Sequence, residues 1–126
     1  MPRSRSALVL VTVVGSLIAS NSYAQVVKQD VDGIRNFAKV ESMVACAGAI
    51  TPAAIAEIKR MGYKAIINLR LANEPGADIE KHMAVAKSVG LAYYHIPFSV
   101  TEPDPAQVDV FLKTIQTPGV EPAFIH

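Results

Sequence analysis

The chain has 126 residues, 51% of them hydrophobic and 18% charged, with a formal charge of +1 at pH 7. That length bounds it to one domain, since independent cores need roughly 50 to 200 residues. A single cysteine, Cys46, excludes an intrachain disulfide.

The mean hydropathy of +0.29 is high, and its cause is local. Residues 7–19, ALVLVTVVGSLIA, form an apolar run preceded by Arg3 and Arg5 and followed by Ser22-Tyr23-Ala24. Small residues at Ser22 and Ala24 complete the order of a secretory signal cleaved after Ala24. The run falls short of the roughly 20 apolar residues that cross a bilayer. The expected organisation is a signal peptide over 1–24 and an exported domain over 25–126, periplasmic or secreted, with no membrane span after cleavage. Cleavage removes two arginines and no acid, leaving 10 basic against 11 acidic residues. A near-neutral mature chain argues against nucleic acid or an anionic membrane as partner.

Residues 25–33 are polar and read as an N-terminal arm. Val40 to Ala47 reads as a first strand ending at Gly48. Thr51-Pro52 opens a helix, with Thr51 as a cap and Pro52 at the first helical position. Ile55, Ile58 and Met61 share one face, and Gly62 stops the helix. Lys64 to Arg70, KAIINLR, reads as a strand buried on both sides. A turn at Asn73, Pro75 and Gly76 leads to a helix over about 77–89, with Ile79, Met83, Ala86 and Val89 inward. Leu91 to Phe98 is a third strand, and Tyr93 and Tyr94 are expected on opposite faces.

Asp104-Pro105 opens another helix carrying the stripe Val108, Phe111, Leu112 and Ile115. Asp104 and Gln107 are spaced as a capping-box variant. Pro122 to His126 begins a fourth strand. The predicted fold is α/β, with a mainly parallel sheet, helices on both faces and the order β-α-β-α-β-α-β, incomplete at the C-terminus. In such sheets ligands bind beyond the carboxyl ends of the strands. His126 stands at such an end, so the chain is expected to continue into a binding or catalytic loop. The 126 residues alone are expected to expose an unfinished apolar sheet face.

From Ile34 onward the sequence resembles the cysteine-dependent phosphatases of the dual-specificity type, in particular the bacterial β-lactamase-hydrolase-like phosphatase group. The residues that carry this are Ile34-Arg35-Asn36-Phe37 with Val40, then Gly48 and Ala49-Ile50-Thr51-Pro52. Gly62-Tyr63, Ile66-Ile67-Asn68-Leu69-Arg70 with Glu74, and Tyr94-His95-Ile96-Pro97 continue it, and Phe124-Ile125-His126 matches the start of the signature. Members continue after that His with H-C-x-x-x-x-x-R.

The resemblance implies a cysteine thiolate that attacks phosphorus, backbone amides that cradle the phosphate, and an arginine that clamps two of its oxygens. It implies an aspartate as general acid, a phosphorylated substrate of unspecified type, and neither metal nor cofactor. The 126 residues hold His126 but neither nucleophile nor clamp, so they are not expected to catalyse the reaction alone.

Cys46 does not replace the nucleophile, because Ala45 precedes it and Pro52 stands where the arginine belongs; a core position is expected. Asp104 is the candidate general acid, in the loop after the third strand, although its place before Pro105 and Gln107 favours a helix cap; Glu102 is the neighbouring alternative. Arg70 and Glu74 follow a strand ending at the same edge as His126, and are expected either to border the cleft or to pair with each other. By resemblance, His126 orients the phosphate loop through its ring. Asn68 is expected to bond to backbone, His82 to be solvated and His95 partly buried, and no histidine pair has zinc-ligand spacing. Two other functions fit less closely. One is a sulfurtransferase, which lacks the signature arginine, and the other is a non-catalytic exported binding module.

Overall fold

The structure, a computed structural model, describes residues 24–126; the expected signal segment lies outside the described residues apart from Ala24. Six strands and three α-helices follow in the order β1 (Val26–Lys28), β2 (Ala38–Val40), β3 (Val44–Cys46), α1 (Ile55–Arg60), β4 (Ala65–Asn68), α2 (Ile79–Ser88), β5 (Ala92–His95), α3 (Pro105–Ile115) and β6 (Ala123–Ile125). They form one mixed sheet in the order β1-β2-β3-β6-β4-β5. The pairs β3–β6, β6–β4 and β4–β5 are parallel, whereas β1–β2 and β2–β3 are antiparallel. The parallel half matches the expected alternation of strand and helix.

The antiparallel half corrects two sequence readings. Val40 to Ala47 is not one strand but the turn and second arm of a hairpin, in which Val40 pairs with Val44 across Glu41–Met43. The turn contains no glycine; Glu41 itself takes the left-handed conformation at φ 52°, so the usual hairpin signal is missing. The polar arm also supplies β1, an exposed edge strand paired with β2.

Alternation along the strands divides the core. On one face Ile66 and Phe124 pack with Ala45, the α1 residues Ile55 and Ile58, and Ala86 of α2. Phe124 stacks on Phe37 at a centroid separation of 6.0 Å and meets Tyr63 edge-on at 5.6 Å. On the other face Ala65, Ile67, Ala123 and Ile125 pack with Val120, and Phe111 and Ile115 of α3 lean against them. Helices therefore cover both faces, and Tyr93 and Tyr94 fall on opposite ones as expected.

Four local expectations change. The helix begun at Thr51-Pro52 starts as a 3-10 turn over Pro52–Ala54, and the Thr51 side chain makes no capping bond. Thr51 instead packs over Gly33, whose carbonyl accepts its backbone N–H at 2.9 Å. On α2 the inward residue is His82 rather than Met83, which is half exposed. A sheet face left bare at β6 is not seen, because β6 lies between β3 and β4 with residues 123–126 all buried. The exposed large apolar residues among those described include Val26 and Val27 on β1, Val100 in the loop after β5, and Val108, Val110 and Leu112 on α3. Val108 and Leu112 belong to the stripe predicted to be buried; only Phe111 and Ile115 of it reach the sheet.

Candidate active site

Because β3, β4, β5 and β6 run parallel, their carboxyl ends share one edge, occupied by Cys46, Asn68, His95 and, just past β6, His126. His126 is held there by its backbone. Its N–H donates to the Ile67 carbonyl at 3.0 Å and its carbonyl accepts from Leu69 N–H at 2.7 Å, which sets His126 directly opposite Asn68. Two loops rise beside it, 69–78 after β4 and 96–104 after β5. A cleft of about 740 Å3 opens between loop 69–78, the segment Ala49–Pro52 and the Val31–Arg35 turn, with Arg70 on its wall.

Asn68 organises the first of these loops. Its side chain is wholly buried. The amide donates to the Ala77 carbonyl at 3.0 Å and to the Tyr93 hydroxyl at 2.9 Å, and the Oδ1 accepts from the backbone N–H of Arg70 at 2.9 Å. Both ends of loop 69–78 are thereby tied to β4. The expected backbone bonds are present, together with the Tyr93 bond.

Arg70 and Glu74 do meet. Arg70 Nη1 donates to Glu74 Oε2 at 3.3 Å and to the Pro75 carbonyl at 3.1 Å. The His95 ring lies 2.8 Å from the Arg70 carbonyl and is partly buried, as expected. The pair thus shapes the loop while Arg70 lines the cleft; Arg70 Nε is buried without a hydrogen-bond partner.

The rings of His82 and His126 were not expected together. The sequence places His82 beside charged neighbours in IEKHMAVAKS and so among solvated residues, yet its side chain is fully buried. Positions 79, 82, 86 and 89 form as good a helical row as 79, 83, 86 and 89, and the polarity of histidine hid it. The two rings meet edge to face, 69° apart with centroids at 5.4 Å. Tyr93 meets His82 at 6.5 Å. Burial holds both histidines neutral. It lowers the His126 pKa to about 3, with help from the nearby His82 and Arg70. Burial also lowers that of His82, against the opposing pull of the Asp78 carboxylate.

Asp104 stands apart from this cluster, at the start of α3. Its carboxylate accepts from Ala106 N–H at 2.9 Å, the predicted cap. Glu102 lies in the same exposed loop, where its backbone N–H donates to Ser99 Oγ at 3.1 Å. Cys46 corrects the expectation of a core position: alternation along β3 buries Ala45 and leaves Cys46 exposed. Partial desolvation still raises its thiol pKa, which disfavours the reactive thiolate. Among the described residues no three His, Cys, Asp or Glu side chains group as a metal site would require.

A sheet of this order, with a buried histidine ending its central strand at the ligand-binding edge, has the architecture of a cysteine-dependent phosphatase domain. Residues 36–123 match the family "Beta-lactamase hydrolase-like protein, phosphatase-like domain", and the chain belongs to that family. Solved structures share the fold. A DUF442 protein of Shewanella putrefaciens CN-32 superposes with a TM-score of 0.67 at 17% identity, covering 78% of this chain and 66% of that one. The core catalytic domain of the PP-IP phosphatase SIW14 from S. cerevisiae, in complex with citrate, gives 0.58 at 17%, covering 77% and 58%. TpbA of P. aeruginosa, in complex with pTyr, gives 0.58 at 16%, covering 79% and 57%. This chain therefore spans less than two thirds of each of those structures. No curated protein matches the sequence.

Proposed function

We propose that this chain forms the N-terminal part of a cysteine-dependent phosphatase domain that hydrolyses phosphoric monoesters. The observation that carries the reading is His126: buried, fixed opposite Asn68, and ending the strand at the centre of the sheet on its ligand-binding edge. In the proposed reaction the cysteine that follows His126 attacks phosphorus as its thiolate. The ester P–O bond breaks, and Asp104 gives its proton to the leaving oxygen. Water then attacks the phosphocysteine, Asp104 takes up its proton, and phosphate and thiolate are released.

For Asp104 to act, its carboxylate must leave Ala106 and turn toward the substrate; Glu102 is the second candidate. Arg70 borders the cleft that receives the rest of the substrate, and Glu74 holds Arg70 in place rather than lining the cleft itself. No metal takes part. The PP-IP phosphatase and pTyr complexes among the structural neighbours support a phosphorylated substrate without choosing between a small phosphorylated metabolite and a phosphoprotein. The segment 1–24 directs the protein out of the cytoplasm.

The test uses the natural protein carrying the residues after His126. Hydrolysis of p-nitrophenyl phosphate by the wild type and its loss in a Cys→Ser variant at the position after His126 support the reading. Equal turnover by both refutes the thiolate. Fractionating cells that express the natural gene tests export, which predicts protein beginning at Gln25 outside the inner membrane.

A further inference from the structure

Three polar side chains are buried among the described residues: Asn68, His82 and His126. Asn68 is fully bonded, but none of the four ring nitrogens of His82 and His126 has a hydrogen-bond partner. Burying such groups unpaired costs folding free energy. A leucine at position 82 fits the inner row of α2, beside Val85, Ala86 and Val89, without that cost. The sequence nevertheless carries histidine at the α2 position that meets the last residue of the site.

We propose that His82 is a positioning residue for the phosphatase reaction, its ring packing against the His126 ring and fixing the orientation of that side chain, which stands immediately before the phosphate-binding loop. The proposal rests on the phosphatase reading of the site. The backbone of His126 is already held on both sides by β4, so rotation of its side chain is the freedom left. Two rings limit that rotation, His82 at 5.4 Å and Phe124 at 6.5 Å.

The charged and titratable groups around the pair come from several elements. Asp78 adjoins His82 at the start of α2, Tyr93 faces it from β5, and Arg70 acts on His126 from the loop after β4. Burial keeps both rings uncharged at neutral pH, so they can stay in contact without repulsion.

The experiment compares wild type, His82→Leu and His82→Phe in the natural full-length protein. Two readouts are taken: p-nitrophenyl phosphate kinetics, and the ring 1H and 13C shifts of His126 by NMR. Losing the orienting ring is expected to lower kcat about tenfold to hundredfold, as small misplacements of reacting groups do, with KM little changed. The His126 ring shifts are expected to stay in place in His82→Phe, which keeps a ring at position 82 and most of kcat, and to move toward rotationally averaged values in the folded His82→Leu protein. Wild-type kcat with an unchanged His126 spectrum in folded His82→Leu overturns the proposal. A wild type without turnover sinks the phosphatase reading instead, and the His126 spectra alone then decide the role of His82.

Discussion

The amide of Asn68, at the end of β4, donates to the hydroxyl of Tyr93 on the neighbouring β5 at 2.9 Å. With its bonds to Ala77 and Arg70, this makes Asn68 the fastening of the loop that walls the cleft. Asn68→Leu strands the buried Ala77 carbonyl and two half-buried groups, the Tyr93 hydroxyl and the Arg70 N–H, at roughly 1–3 kcal/mol each before relaxation and less where water reaches them. A total loss of about 3 kcal/mol is expected in urea unfolding. Tyr93→Phe removes one bond and costs about 1 kcal/mol. An Asn68→Leu protein within about 0.5 kcal/mol of wild type, the range of an ordinary surface change, contradicts this role.

Acid is expected to destabilise the fold through its buried histidines. The His126 pKa falls from 6.5 to about 3 on folding, and that of His82 also falls. Between those values the unfolded chain binds more protons, so stability is complete above pH 6.5 and drains away as the pH drops toward 3. In that window His126 contributes a slope of up to about 1.4 kcal/mol per pH unit, and His82 adds to it in the same direction. Urea titrations from pH 7.5 to 4.5 should show a shallower decline for His126→Phe than for wild type. Equal declines place the proton uptake elsewhere.

Much of this fold is legible in the sequence. KAIINLR reads as a strand buried on both sides, and Ala65 to Asn68 are fully buried. Asp104-Pro105 reads as a capped helix start and is one. What stays hidden has local physical causes. The hairpin of β2 and β3 turns through Glu41 rather than glycine, and β1 is too exposed to carry an alternating pattern. His82 is buried by a partner ring about forty positions away, a relation no helical period encodes. Cys46 is exposed although cysteine is usually buried, because its place is decided by the register of β3.

Gly76 joins loop 69–78 to the segment after β3. It sits at φ 77°, and a Cβ there would come within 2.7 Å of the Ala49 Cβ. Gly76→Ala therefore combines left-handed strain with overpacking and should cost about 2–4 kcal/mol. Gly62→Ala, at φ 97° with open space around it, carries only the first penalty, about 1–2 kcal/mol. Thermal unfolding of the two variants checks the order; equal losses remove the close approach from the account.

The two roles of Asp104 separate in one substitution. Asp104→Asn keeps a capping oxygen for Ala106 and should leave stability nearly unchanged, whereas Asp104→Ala should cost about 1 kcal/mol. In the active full-length protein both lose the proton donor. Their turnover of esters with poor leaving groups should fall about 100-fold or more. Unchanged turnover in Asp104→Asn transfers the acid role to Glu102, to be checked by Glu102→Gln.

The most direct test is to read the natural coding sequence beyond the codon for His126. A cysteine as the next residue and an arginine six positions after that cysteine are what the account predicts. A stop codon there, or a continuation lacking either residue, contradicts it.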